Sequence, residues 1–198
     1  MVSYMMKDKY DVILVGGGIM GCATAYYLMK NDQRLKVAII EKDPTYAKAS
    51  TTLSDGNIRV QFNLKENILI SQYGLEIIET FAEDMAVGDD KPDVGSRRQG
   101  DLFLYDNEGI SAAKGGFELQ KELGCDVSWL SPREIKENFP QIESSKIAAG
   151  TLGRNEGTMD PHAVLQAYRK KAIALGAQYL QAEVASLVAA NGAIEGVM

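Results

Sequence analysis

Gly16, Gly18 and Gly21 stand at the spacing G-x-G-x-x-G, which suits the pyrophosphate of a dinucleotide. Gly16 makes the tight turn out of a strand. Gly18 leaves no Cβ where a backbone must approach phosphate oxygens, and Gly21 lets the following helix lie close to the strand. The N–H groups that open this helix, at Ile19, Met20 and Gly21, then face the anion. Glu41 follows Gly21 by twenty residues. A carboxylate there accepts hydrogen bonds from ribose hydroxyls and repels a 2′-phosphate, which disfavours NADP. The other reading of Glu41 is a solvated carboxylate at a strand end.

This chemistry needs a strand before the glycines, a helix after them and a second strand ending in the acid. Tyr10 to Val15 (YDVILV) reads as a buried parallel strand, Ile19 to Lys30 as the helix and Lys36 to Glu41 (KVAIIE) as the second strand. Residues 42–63, rich in Ser, Thr, Gly and Asn, have no period; a loop of that length is usually functional or disordered. Beyond it, Ile68, Leu75, Ile78, Phe81 and Met85 share one face of a helix. Asp89 to Gly95 reads as a turn-rich linker and Arg97 to Asp106 as a strand. A helix over Ile110 to Leu123 is closed by Gly124. Val127 to Leu130 reads as a strand, and Ser131-Pro132-Arg133-Glu134 is a capping box opening a short helix. Ile147 to Leu152 is a strand, and Asp160, better read as an N-cap than as a catalytic acid, precedes a helix that Gly176 ends. Ala177 to Val188 reads as one or two strands, and Ala193 to Met198 starts another.

Composition narrows the function classes. The 198 residues carry 21 Lys and Arg against 27 Asp and Glu, a net charge of −6, which argues against nucleic acid as main partner. One His and two separated cysteines, Cys22 and Cys125, give no support to a metal site. No apolar run approaches the roughly 20 residues of a membrane span. No secretory signal is visible, and the bland reading is a cytoplasmic protein with reduced thiols.

The motifs YDVILVGGGIMGCATAYYL, IIEKD, ASTTLSDGNIR, RRQGDLFLYD, GCDVSWLSPREIKENFP and EGTMDPHAVLQAYRKKAIALGA, in that order, resemble the D-amino-acid oxidase superfamily in its sarcosine oxidase, glycine oxidase and dimethylglycine dehydrogenase branch. The resemblance covers Tyr10 to the last residue and matches the N-terminal half of such enzymes. It implies an α/β fold: a Rossmann-like FAD-binding βαβ domain with an inserted α+β portion of a substrate domain, truncated at its C-terminus. The implied boundaries are 1–88, 89–152 and 153–198, the first and last belonging to the FAD-binding domain.

The resemblance implies FAD as cofactor. Gly16, Gly18, Ile19, Met20, Gly21, Glu41 and Lys42 match the nucleotide-binding stretch. Ala49, Ser50, Thr51 and Thr52 match the loop beside the pyrophosphate and flavin ring. Ser54, Asp55, Gly56, Asn57, Ile58 and Arg59 match its continuation under the isoalloxazine. Val184 matches a strand position whose backbone contacts adenine. Arg59 matches an arginine that holds the acidic end of an amino-acid substrate or tunes the ring; its structural alternative is a salt bridge to Asp55 or a neighbour. Asp55 stands where some relatives have histidine, so a histidyl flavin link there is excluded, and the cysteine that links FAD in sarcosine oxidases would lie in a C-terminal half this sequence lacks. His162 reads as a surface residue and Cys22 as packing, with a reactive thiol as the minor alternative. Trp129 and Tyr26-Tyr27 read as core or interface.

The leading functional expectation is an oxidoreductase acting on the C–N bond of an amino acid or N-methyl amine, with hydride transfer to flavin N5. One alternative is a non-catalytic FAD-binding fragment or subunit completed by a second polypeptide or a missing C-terminal half. A weaker one is an NAD-dependent dehydrogenase.

Overall fold

The computed structural model describes residues 9–198. Its elements are β1 (Val12–Val15), α1 (Ile19–Asn31), β2 (Val37–Glu41), β3 (Asn57–Ile58), α2 (Lys65–Asp84), β4 (Asp101–Tyr105), α3 (Ile110–Glu122), β5 (Val127–Leu130), α4 (Pro132–Asn138), β6 (Ala149–Gly153), β7 (Gly157–Thr158), α5 (Pro161–Ala174), β8 (Gln178–Gln181), β9 (Leu187–Ala190) and β10 (Ala193–Val197). Contacts group the chain into two compact units, one of residues 1–54, 83–92 and 161–198, the other of residues 55–82 and 93–160.

In the first unit β1, β2 and β8 form a parallel sheet with β2 central, paired Val12↔Val37 and Ala38↔Gln178 at their starts. Parallel neighbours need a crossover, and α1 supplies the one between β1 and β2. This is the expected Rossmann-like βαβ unit, and β8 is the return to its sheet. Val37, Ala38 and Ile39 are buried on both faces, with Cys22, Ala25, Tyr26 and Met29 of α1 and Leu165, Tyr168 and Ala172 of α5. Tyr26, Tyr27 and Tyr168 join the two helices, with ring centroids 4.8–6.5 Å apart. β1 is less buried than its apolar run predicts, because it is an edge strand whose last residue, Val15, is 57% exposed.

β8 stops at Gln181, so Val184 lies in the connection to β9, not on a strand as expected. Ala182 N–H makes the last bond to β2, at the Glu41 carbonyl (3.0 Å), and the chain then leaves the sheet, Ala185 N–H joining the terminal ribbon through the Met198 carbonyl (2.6 Å). That ribbon is the β9–β10 hairpin. Asn191 and Gly192, both at positive φ (53° and 78°), make its two-residue turn.

In the second unit β6 is the centre of an antiparallel sheet, pairing Asp101↔Gly153 with β4 and Val127↔Gly153 with β5. Val60, Ile68, Cys125 and Val127 form a buried cluster, with Phe62, Leu75 and Phe117 packed on it. Trp129 stacks on Tyr105 (6.2 Å) and meets Phe117 edge-on (5.6 Å). The capping box is present: Ser131 N–H donates to Glu134 Oε2 (2.7 Å), and Glu134 N–H donates to Ser131 Oγ (3.3 Å). The expected boundary after residue 88 differs from the division by contacts, which falls after Ser54. The reason is local: β3 pairs with β7 (Asn57↔Thr158), tying the far part of the long loop to residues that follow β6.

Candidate functional site

The glycine loop is built by β1 and α1. Gly16 donates its N–H to the Ile40 carbonyl of β2 (2.8 Å), and its φ of +100° then turns the chain off the sheet. A Cβ on Gly21 would stand 2.0 Å from the Gly16 carbonyl oxygen, so the helix and the loop meet only through a bare Cα. At Gly18 a Cβ would meet only Thr51 Oγ1, at an ordinary 3.7 Å. Gly17 was not among the sequence candidates. Its Cβ would lie 2.9 Å from Glu41 Cβ and 3.0 Å from the Tyr179 ring, and its N–H donates to Glu41 Oε2 (2.7 Å). Only the strand pairing that lays β8 beside β2 reveals this.

Glu41 braces the loop and its own strand end, because Oε1 accepts the Asp43 N–H (2.8 Å). Lys42 is exposed and pairs with Glu183 at 3.6 Å, next to Val184. The structure thus brings Glu41, Lys42 and the Val184 segment together at one end of the sheet. Behind Gly17, Tyr179 and Tyr46 share a hydroxyl hydrogen bond (2.6 Å), and the Arg169 guanidinium lies 3.9 Å over the Tyr179 ring. Burial pushes the Tyr46 hydroxyl far up.

Thr51 accepts the Ile19 N–H at 3.3 Å and so caps the first turn of α1. Met20 and Ser50 are exposed beside it. The Thr52 hydroxyl instead faces the Tyr46 and Ala49 carbonyls, bracing the turn from within. Cys22 is fully buried, its Sγ 3.0 Å from the Gly17 carbonyl, and burial raises its pKa to about 11. A thiol so placed is neutral at ordinary pH, which removes the reactive-thiol alternative. In the native protein Cys22 is expected to resist a maleimide at pH 8 and to label on unfolding, as mass spectrometry would read.

The second unit carries the rest of the candidate loop. Gly56, buried at φ +71°, accepts the Met159 N–H (3.0 Å). Asn57 N–H donates to Asp55 Oδ1 (3.2 Å) and its Nδ2 to Asp101 Oδ2 (2.6 Å); Ile58 pairs with Gly157. Asp55, Asn57, Arg59, Asp101, Leu102 and Phe103 line an open pocket of about 520 Å³. The Arg59 guanidinium carbon lies 4.7 Å from the Phe62 ring centroid and 5.0 Å from that of Phe103. None of the ion pairs among the described residues includes Arg59, so the salt bridge to Asp55 is not formed. Two aromatic rings thus flank the guanidinium at cation–π distance.

Sequence reasoning also passed over Glu156. Its carboxylate is fully buried and accepts the Val60 N–H (2.6 Å), the Gln61 N–H (3.0 Å) and Gln61 Nε2 (2.5 Å). Burial pushes its pKa up, against the pull of those donors. His162 is exposed on the first turn of α5, its ring 6.4 Å from that of Tyr46, as a surface residue should be. No group of His, Cys, Asp or Glu among the described residues is arranged to hold a metal. No helix among them is long and apolar enough to cross a membrane.

The family described as DAO, FAD dependent oxidoreductase, matches residues 11–197. FAD-dependent oxidoreductase domain-containing protein 1 of Xenopus laevis is 37% identical over 182 residues, covering 89% of this chain and 36% of that protein. Sarcosine oxidase subunit beta of an Arthrobacter species is 30% identical over 181 residues, covering 88% and 43%. Among solved structures, L-proline dehydrogenase from P. horikoshii superposes with a TM-score of 0.81 at 30% identity, covering 96% of this chain and 49% of that one. The chain therefore spans between about a third and a half of the length of these relatives.

Proposed function

Because the chain belongs to the family of FAD dependent oxidoreductases, we propose that it holds the FAD of an enzyme that oxidises the C–N bond of an amino acid or N-methyl amine. FAD is the cofactor of the family, and the residues of the first unit fit it. The loop is open at Gly18, where a Cβ would meet only Thr51 Oγ1; the start of α1 supplies backbone N–H groups, that of Ile19 being taken by Thr51, and exposed Ser50 adds a small hydroxyl. In this reading Gly16, Gly18, Ile19, Met20 and Gly21 hold the pyrophosphate and Glu41 the ribose. Lys42 and the Val184 backbone lie on the adenosine side. Ser54, Gly56, Asn57 and Ile58 carry the loop on toward the ring. Thr52 contributes by stiffening the turn.

When bound, FAD supplies a two-electron acceptor for the hydrogen leaving the substrate carbon. The protein's own contribution is orientation. Arg59 binds the substrate carboxylate through two parallel N–H donors, and the acceptor oxygens of Asp55 and Asp101 lie in the same pocket for the amine. The single observation that carries this reading is Arg59, beside the rings of Phe62 and Phe103 and in none of the ion pairs among the described residues. The names of the relatives, a proline dehydrogenase and a sarcosine oxidase subunit, support the same bond type.

A second reading, a FAD-holding part that works only with further polypeptide, has support from the match to a protein named as one subunit. A cytoplasmic site of action is part of the proposal, supported by two free, buried cysteines. The test is to denature the purified protein and identify what it releases. FAD is expected; NAD would revive the dehydrogenase reading and overturn this one.

A further inference from the structure

Glu156 has no part in the chemistry proposed above, yet it is a fully buried carboxylate on which the main chain next to Arg59 hangs. Its Oε1 collects two successive backbone N–H groups, those of Val60 and Gln61, and its Oε2 takes the Gln61 side chain. Gln61 Nε2 also reaches the Asp101 carbonyl (3.0 Å), on the strand that carries Phe103. Gln120 Nε2 holds the Phe62 carbonyl from the other side (3.0 Å). Residues 60–62 are thus fixed on three sides, directly after Arg59 and through one of the two rings it stacks on. None of the ion pairs among the described residues includes Glu156. Burying such a carboxylate is costly unless backbone donors repay it.

We propose that Glu156 is the positioning residue of the carboxylate site: by holding the Val60 and Gln61 N–H groups it sets the place of the Arg59 guanidinium. The inference rests on the reading of Arg59 as the carboxylate binder. Gly153 supplies an independent handle, because a Cβ there would stand 2.3 Å from the Glu156 carboxyl carbon and oxygen. Since that carboxylate ends a flexible side chain, Gly153→Ala displaces it while leaving Glu156 in the sequence.

The test uses acetate as probe, titrated by calorimetry into the FAD-loaded full-length protein, with melting temperature and FAD content measured alongside. Glu156→Met keeps the length of the side chain and removes its acceptors; it should weaken acetate binding roughly tenfold or more. Gly153→Ala should do the same. Glu156→Gln keeps one oxygen for both N–H groups but turns its own amide N–H groups toward Gln61 Nε2, so its loss should be smaller than that of Glu156→Met. Arg59→Met should abolish acetate binding. A purely structural Glu156 would lower the melting temperature and leave acetate affinity alone. Unchanged affinity in folded Glu156→Met or Gly153→Ala overturns the inference while the Arg59 reading stands. Unchanged affinity in Arg59→Met overturns both. Where Glu156→Met does not fold, Gly153→Ala decides.

Discussion

Gly21→Ala is expected to strip the protein of FAD and to lower its melting temperature, the larger of the effects foreseen at the glycine loop. The added Cβ would need the place of the Gly16 carbonyl oxygen, 2.0 Å away, and neither partner is a flexible side chain. Gly16 cannot easily give, because its own N–H is bonded to Ile40 and its φ of +100° is already a conformation few residues adopt. Overpacking of this kind costs about 1–3 kcal/mol, roughly 2–12 °C in a chain of this size. The helix start would also move away from the phosphates. Gly18→Ala makes the contrast. Its Cβ meets only Thr51 Oγ1, at 3.7 Å, so the apoprotein should melt within a degree or two of the parent while FAD affinity falls. Calorimetry of the two apoproteins and FAD titration of both would check this. Equal melting temperatures for the two variants would contradict the packing role of Gly21.

Arg59→Met should cost about 2–4 kcal/mol in kcat/KM for an amino acid, roughly 30- to 900-fold, as expected when one partner of a hydrogen-bonded charge pair is removed. Methionine keeps an unbranched chain between the Phe62 and Phe103 rings, so the pocket wall survives while the fork of donors is lost. The loss should fall on KM more than on kcat if the carboxylate is held equally in ground and transition states. An amine of the same skeleton without its carboxylate should be turned over by parent and variant alike. Arg59→Lys should rescue only part of the loss, because an ammonium cannot make the two parallel bonds. Steady-state kinetics on such a substrate pair would decide it; a variant that loses both substrates equally would place Arg59 in general stability and not in recognition.

Much of the frame was legible because its signals are local. The glycine spacing, the apolar run of β2 and the Ser131–Glu134 box are each read within a few residues, and each is where local chemistry puts it. Arg59 was marked by its match to an arginine of the resembled family, but its partners were not. Phe62 is three residues away, whereas Phe103 arrives from β4, and only the folded chain brings it there. Glu156 was hidden for the same reason. In sequence it is a turn residue before Gly157, and its burial follows from the pairing of β3 with β7 across about a hundred residues. Gly17 falls between two motif glycines, and what demands a glycine there is Glu41 of β2 and Tyr179 of β8. Val184 misled because a short stretch of small residues suits a strand and an extended connection equally well; pairing with β2 ends at Gln181, and Ala185 N–H turns to the Met198 carbonyl instead.

That this chain holds FAD and binds carboxylate-bearing amines is the central proposal. It is tested most directly by adding substrates to the FAD-loaded full-length protein without oxygen and watching the visible flavin band. Bleaching by an amino acid or N-methyl amino acid, and much slower bleaching by the matching amine without its carboxylate, is the result predicted. Bleaching by neither, with FAD bound and the protein folded, or equal bleaching by both, would contradict it.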